Sequence, residues 1–387
     1  MLKTFFAPLF LFVSLLPGAM AQVLIPAPPQ LAAKSWILID ADTGRVLIEE
    51  NADEQLPPAS ITKMMSSYVI AGEVAEGKVS YADKVPISVA AWKMGGSKMF
   101  VREGTEVPLG DLLKGVIIQS GNDAAVALAE YLAGSESAFA DVMNQQAELL
   151  GMNNSHFVNA TGWPAEGHLT TARDLSFLTQ ALIEEHPEHY ALYSEKYYEY
   201  NGIKQPNRNR LLWRDKSVDG VKTGHTEEAG FCLVASAKRK GMRLISVVMG
   251  TRSEEARAQE SQKLLAYGFR YFETTKVVSA KDVLQADKRV WYGTDNTVNI
   301  VAANDVILTF PRGAKAQLEI QLHIDTTLEA PITGDQELGR LIVSYKGEQI
   351  ADEKLVAEHA VTEAGFFSRL WDRLARFVLS FVWSRDE

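Results

Sequence analysis

Apolar residues recur at every second position in some stretches of this chain and at every third or fourth in others, and the switches divide it into segments. Trp36-Ile37-Leu38-Ile39-Asp40 and Val46-Leu47-Ile48 flank Asp42-Thr43-Gly44, the pattern of a β-hairpin. Met64 to Val74 reads as an apolar helix, suited to burial beneath a sheet. Leu109, Leu112, Leu113, Val116 and Ile117 have helical spacing. The run Gln119-Ser120-Gly121-Asn122-Asp123 then breaks the pattern before a second helix over Ala124 to Leu132. Gly121 is expected at the junction, because glycine adopts backbone conformations that other residues resist. Ser120 and Asn122 on such a turn both face one cleft. Thr171 and Asp174 have the spacing of a capping box before Leu175 to Glu185, a structural role for Asp174, and Pro187 closes that helix.

From Asp219 onward the period is that of strands: Gly220 to His225, Phe231 to Ala237, a Lys240-Gly241 turn, and Arg243 to Met249. This predicts an antiparallel meander, followed by a long helix over Ser253 to Glu273. Helices around such a sheet imply an α/β-type (α+β) domain of two or three layers. From Lys276 to about Ala357 short alternating runs predict a small all-β domain. At the end, Phe366, Phe367, Leu370, Trp371, Leu374, Phe377, Val378, Phe381 and Val382 share one helical face, and Arg369, Arg373 and Arg376 the other, with Asp372 among them. The longest uncharged run there, Phe377 to Ser384, is too short to span a bilayer, which takes about 20 residues. An amphipathic helix lying in the membrane interface is expected; the alternative is a helix docked on its own protein or in a dimer.

The first residues read as a secretory signal: Lys3, an apolar run from Phe5 to Leu16, and Ala19-Met20-Ala21 as cleavage site, so that Gln22 begins the mature chain. The expected organisation is a signal peptide (1–21), a catalytic domain (22–273), an all-β domain (274–360) and an amphipathic anchor helix (363–384). Among 387 residues the formal net charge is −10, which excludes a nucleic-acid partner, since phosphate binding needs a basic face. Cys232 is the single cysteine and lies in an apolar run, so a buried strand thiol is expected and no internal disulfide. His186 and His189 read as a surface pair rather than a metal site, Pro187 between them and no third ligand near. No cofactor is implied.

The candidate chemistry begins at Pro57-Pro58-Ala59-Ser60-Ile61-Thr62-Lys63. The prolines favour extended backbone ahead of a helix, and residues three apart on that helix share a face. The Ser60 hydroxyl and the Lys63 amine therefore meet without help from a distant loop. A serine becomes a nucleophile when a neighbouring base takes its proton, and a desolvated lysine is such a base. Two further motifs follow in order, Ser120-Gly121-Asn122 and Lys222-Thr223-Gly224, and each of the three occurs once.

Together these motifs resemble the active-site set of penicillin-binding proteins and serine β-lactamases. Gly95-Gly96-Ser97-Lys98-Met99-Phe100, Asn159-Ala160-Thr161-Gly162 and Ser217 to Thr226 are similar to the D-alanyl-D-alanine carboxypeptidases of low molecular mass, and the likeness runs from about Ala33 to Leu355. The resemblance implies a serine β-lactamase/transpeptidase-like fold and a serine carboxypeptidase that removes the terminal D-alanine of peptidoglycan stem pentapeptides. It implies Ser60 as nucleophile, Lys63 as base with Lys222 helping to lower its pKa, Ser120 as proton relay, and Asn122 on the substrate amide. Lys222, Thr223 and Arg208 would hold the terminal carboxylate, and backbone N–H groups of Ser60 and His225, next to Gly224, the oxyanion. It further implies acylation by β-lactams, export to the periplasmic face of the inner membrane and peripheral attachment there. A class A β-lactamase fits less well: its E-x-x-L-N segment is missing between Ser120 and Lys222, and its Ser-Asp-Asn is here Ser-Gly-Asn. A D,D-endopeptidase and a non-catalytic β-lactam-binding or cell-wall sensor module are the other readings.

Overall fold

The computed structural model describes residues 25–383. The signal segment, the start at Gln22, the side chains of Phe381 and Val382 and position 384 lie outside the described residues. Strands β1 (Ser35–Asp40) and β2 (Val46–Glu50) form the expected hairpin. They join β3 (Val218–Thr226), β4 (Gly230–Arg239) and β5 (Met242–Thr251) in one antiparallel sheet of order β2-β1-β5-β4-β3. All six residues of β1 are buried, because the sheet is covered on both faces. Ile37 and Ile39 point into the core that holds Met64, Met65 and Ile70, while Trp36 and Leu38 point into another with Leu264 and Leu265. The first core is built around helix α1 (Lys63–Ala75), buried from Lys63 to Ala71. The second lies under the C-terminal helix of this layer, Glu254–Tyr271, whose first turn is capped by Ser253 accepting from the Ala256 N–H.

The 109–133 region forms a helix over Leu109–Lys114, a single π-helical turn over Gly115–Gln119 and a helix over Asn122–Ala133, the break falling where the pattern predicts. Thr171 caps the Ala172–Glu185 helix by accepting from the Asp174 N–H. The Asp174 carboxylate is buried and accepts from Asn154 N and Ser155 Oγ. His189 departs from the surface reading: it is buried, with Nε2 2.5 Å from Ser67 Oγ, because Pro187 starts a new helical turn that folds it back onto α1. Burial holds its imidazole well below the usual range, at about 3.

At Phe272 the helix gives way directly to a strand, Phe272–Val278, that pairs with Val306–Pro311. Beyond it, a six-stranded sheet has its own core, including Val290, Ile300, Phe310 and Leu341. The two units are tied by buried Asp40, whose carboxylate accepts from Thr43 N, Thr43 Oγ1 and Thr274 Oγ1. Arg45 adds a bond from Nη1 to the Thr309 carbonyl at 2.7 Å.

The last helix, Phe366–Trp383, docks on the β domain through its polar side. Asp372, 5% exposed, accepts from Arg289 Nη2 at 2.9 Å and from the Tyr292 N–H at 2.7 Å. Arg376 reaches Glu329 and Tyr292 Oη, and its guanidinium and that of Arg289 cover Trp291. Its apolar side faces outward, with Phe367 84% and Trp371 71% exposed. No described helix is long and apolar enough to cross a membrane.

Candidate active site

Ser60 sits in a 3₁₀ turn, Ala59–Thr62, that leads straight into α1. At three residues per turn, side chains at i and i+3 eclipse, and Lys63 Nζ stands 3.1 Å from Ser60 Oγ. The approach differs from the extended entry expected of the prolines. Pro58 is right-handed helical (φ −74°, ψ −19°), a region its fixed φ permits, and Ala59 takes φ 48°. Strand β3 abuts this turn so closely that a Cβ on Gly224 would lie 2.8 Å from the Pro58 carbonyl oxygen.

Lys63 is 1% exposed, and its amine has two further partners, Asn122 Oδ1 at 2.7 Å and the Thr161 carbonyl at 2.5 Å. Burial first, then the positive charge of Arg208, brings its pKa down to about 7. The carboxylates of Glu136 and Asp123 act in the opposite direction. Lys222, 2% exposed, is itself pushed well down by burial and then by the charges of Lys63, Arg208 and Arg257.

Ser120 and Asn122 do face one cleft, but the strained residue is not the glycine. Ser120 itself takes the left-handed conformation (φ 67°, ψ 33°), while Gly121 has φ −60° and ψ 116°. Gly121 is demanded by space: a Cβ there would lie 2.9 Å from Asp123 Oδ1 and 3.0 Å from the Met99 nitrogen. The twist delivers Ser120 Oγ to Lys222 Nζ at 2.9 Å. Asn122 donates through Nδ2 to the Gly95 carbonyl while its Oδ1 accepts from Lys63, so it links the 95–101 segment to the base.

The remaining candidates lie along β3 and beside it. Thr223 and Gly224 follow Lys222 on the buried edge strand, and the Arg208 Nε donates to the Gln119 carbonyl at 3.0 Å, next to Ser120. The His225 ring is exposed and stacks on Phe231 with centroids 3.8 Å apart, away from any proton transfer to Ser60. Three contributors are not among the site residues expected from the motifs. Asp123 accepts from the N–H groups of Met99, Phe100 and Val101 and so pins the 95–101 segment. Arg257, buried, donates from Nη1 to the Gly224 carbonyl at 3.1 Å. Thr161 acts through its carbonyl, which no side-chain motif reports. Two of them carry a sequence signal: Asp123 directly follows the Ser-Gly-Asn in the first turn of its helix, and Thr161 lies within the Asn159-Ala160-Thr161-Gly162 segment.

A serine, two buried lysines and a second serine on an edge strand and two helix termini define a nucleophilic acyl-transfer site of the lysine-activated serine type. The model of the family described as D-alanyl-D-alanine carboxypeptidase matches residues 22–253, and that described as penicillin-binding protein 5, C-terminal domain, matches residues 272–363. D-alanyl-D-alanine carboxypeptidase DacC of Escherichia coli (strain K12) is 43% identical over 372 residues, 94% of this chain and 92% of its own. Penicillin-binding protein 5 from Haemophilus influenzae superposes with a TM-score of 0.82 at 40% identity, over 87% of this chain and all of its own. Penicillin-binding protein D2 of Listeria monocytogenes, in its ampicillin-bound form, is 32% identical with a TM-score of 0.57, over 62% of this chain and 98% of its own. The chain belongs to the D-alanyl-D-alanine carboxypeptidase family.

Proposed function

We propose that the protein is a serine-type D-Ala-D-Ala carboxypeptidase that trims the terminal D-alanine from peptidoglycan stem pentapeptides through an acyl-enzyme on Ser60. The observation that carries this reading is the contact of Ser60 Oγ with a buried amine whose pKa is near 7. Lys63 takes the hydroxyl proton as Oγ bonds to the carbonyl carbon between the two D-alanines. The tetrahedral oxyanion lies against the N–H groups of Ser60 and His225, and Arg257 supports the second by holding the carbonyl of the same Gly224–His225 peptide. As the C–N bond breaks, the leaving amine takes a proton through Ser120, which Lys222 orients. The substrate carboxylate, entering beside Lys222, Thr223 and Arg208, favours the charged form of Lys222. Asn122 contacts the substrate amide. Water then hydrolyses the ester, returning Ser60. β-Lactams acylate the same oxygen, a reading supported by the ampicillin-bound form of the Listeria relative.

The division into a catalytic unit over 22–273, a β domain over 274–360 and a terminal helix over 363–384 belongs to the same reading. So do export to the periplasmic face of the inner membrane and peripheral attachment. The outward apolar face of the Phe366–Trp383 helix supports attachment, since its polar side is already used against the β domain.

The test is D-alanine release from a synthetic stem pentapeptide by wild type and Ser60→Ala, alongside labelling with a fluorescent penicillin. Release and labelling by the wild type alone are expected. Labelling without release would favour an endopeptidase or a sensor, and no labelling would remove the reading altogether.

A further inference from the structure

The lone pair of a general base has to point at the proton it takes. A neutral lysine amine has two N–H donors and one lone pair. Around Lys63 Nζ, the Thr161 carbonyl and Asn122 Oδ1 accept only, so they take the two donors and leave the lone pair for the Ser60 hydroxyl. Asn122 is fixed by its own bond to Gly95, but the Thr161 carbonyl belongs to a loop and needs a separate support.

That support is visible. Asn159 Oδ1 gathers four donors: Thr161 N at 3.1 Å, Thr161 Oγ1 at 2.9 Å, Gly162 N at 2.8 Å and Trp163 N at 3.1 Å. Its Nδ2 donates to the Trp163 carbonyl at 2.9 Å. These donors also fix which way the amide faces. The turn so formed is pressed onto the nucleophile turn: Gly162 has φ +80°, and a Cβ there would lie 1.8 Å from the Ala59 carbonyl oxygen. We infer that Asn159 is a positioning residue for catalysis, which folds the 159–163 turn so that the Thr161 carbonyl orients the Lys63 amine toward Ser60. The inference rests on the reading of Lys63 as the base of Ser60.

The test is stopped-flow acylation by a fluorescent penicillin at pH 9, about two units above the point where the Lys63 amine loses its proton, resolving the pre-covalent dissociation constant from the first-order acylation step. Asn159→Ala is expected to leave the first within about twofold and to slow the second by about 10- to 100-fold, the scale of a misplaced catalytic group. Asn159→Asp keeps an oxygen for the four donors but sets its other oxygen against the Trp163 carbonyl, where Nδ2 now donates, so it is expected to acylate at a rate between wild type and Asn159→Ala. Acylation of folded Asn159→Ala at the wild-type rate would overturn the inference. Should the alanine variant not fold, Asn159→Ser, with its oxygen too short to span the turn, replaces it: acylation about tenfold or more slower than wild type supports the inference, and the wild-type rate overturns it. Lys63→Ala separates the two levels. If it acylates like wild type, the reading of the base itself fails; if it is inert while Asn159→Ala is normal, only the role of Asn159 falls.

Discussion

Lys222 Nζ donates to Ser120 Oγ across 2.9 Å, both groups buried, from an edge strand to the break between two helices. The pair repeats at the leaving-group side what Lys63 and Ser60 do at the nucleophile. Removing the Ser120 hydroxyl takes away the route by which the leaving amine receives its proton and leaves the Lys222 amine short of a partner. Ser120→Ala is therefore expected to lower D-alanine release by about 10²- to 10⁴-fold, the range of a lost general acid–base step. Circular dichroism and thermal melting should show it folded; a folded variant within tenfold of wild type would remove Ser120 from the proton path.

The pH dependence follows from Lys63. Only its neutral form accepts the Ser60 proton, and in the free protein that form dominates above about 7. The second-order rate constant for acylation is expected to rise about tenfold per pH unit below that point and to level above it. Stability carries the same sign. The unfolded lysine titrates near 10.5, so between about 7 and 10.5 the unfolded chain holds a proton that the folded chain has released. Stability from this group therefore rises with pH across that window and is lost as pH falls through it. Lys63→Arg keeps a cation that does not deprotonate. Its acylation should be at least about 10³-fold slower, with no rising limb near 7.

Much of this site was legible in the sequence, because its reactive atoms sit on short, local arrangements: Ser60 and Lys63 one turn apart, Ser120 and Asn122 on one helix break, Lys222 to Gly224 on one strand. The unbroken apolar run from Trp36 to Ile39 likewise marked a strand, and all four residues are buried. What escaped was long-range or carried by backbone. The Thr161 carbonyl reaches Lys63 across 98 positions and involves no side chain of its own. Arg257 holds a peptide group from a helix packed behind the sheet. The burial of His189 depended on where the chain after Pro187 folds, which no local pattern reports. Ser120 rather than Gly121 carries the left-handed backbone because crowding, not φ, selects the glycine.

Gly162→Ala tests the seam between the 159–163 turn and the nucleophile turn. The new methyl would have to occupy space 1.8 Å from the Ala59 carbonyl oxygen at a φ of +80°. No rotamer relieves a clash at Cβ, so backbone has to move on one side or the other. A loss of more than about 2 kcal/mol is expected, a fall in Tm of roughly 5 °C or more for a unit this size. Acylation should fall with it, since the turn that moves carries either Ser60 or the Thr161 carbonyl. A melting temperature within a degree of wild type would mean that the seam is not tight.

The terminal helix offers two substitutions with opposite expectations. Asp372→Ala leaves Arg289 and the Tyr292 N–H without their shared carboxylate and should loosen the helix from the β domain. Limited proteolysis near residue 365 should then speed up by about tenfold, with binding to anionic phospholipid vesicles retained, because the outward face is intact. Phe367→Glu with Trp371→Glu places two charges on that outward face, where both rings are largely exposed. Transfer of each ring into an apolar phase is worth on the order of 2 kcal/mol, so the double variant should lose vesicle binding by more than about 100-fold. Its proteolytic stability should not change, since neither ring is part of the polar seam. Vesicle binding that survives the double variant would show that the helix is not the attachment site, and that the apolar face has another use.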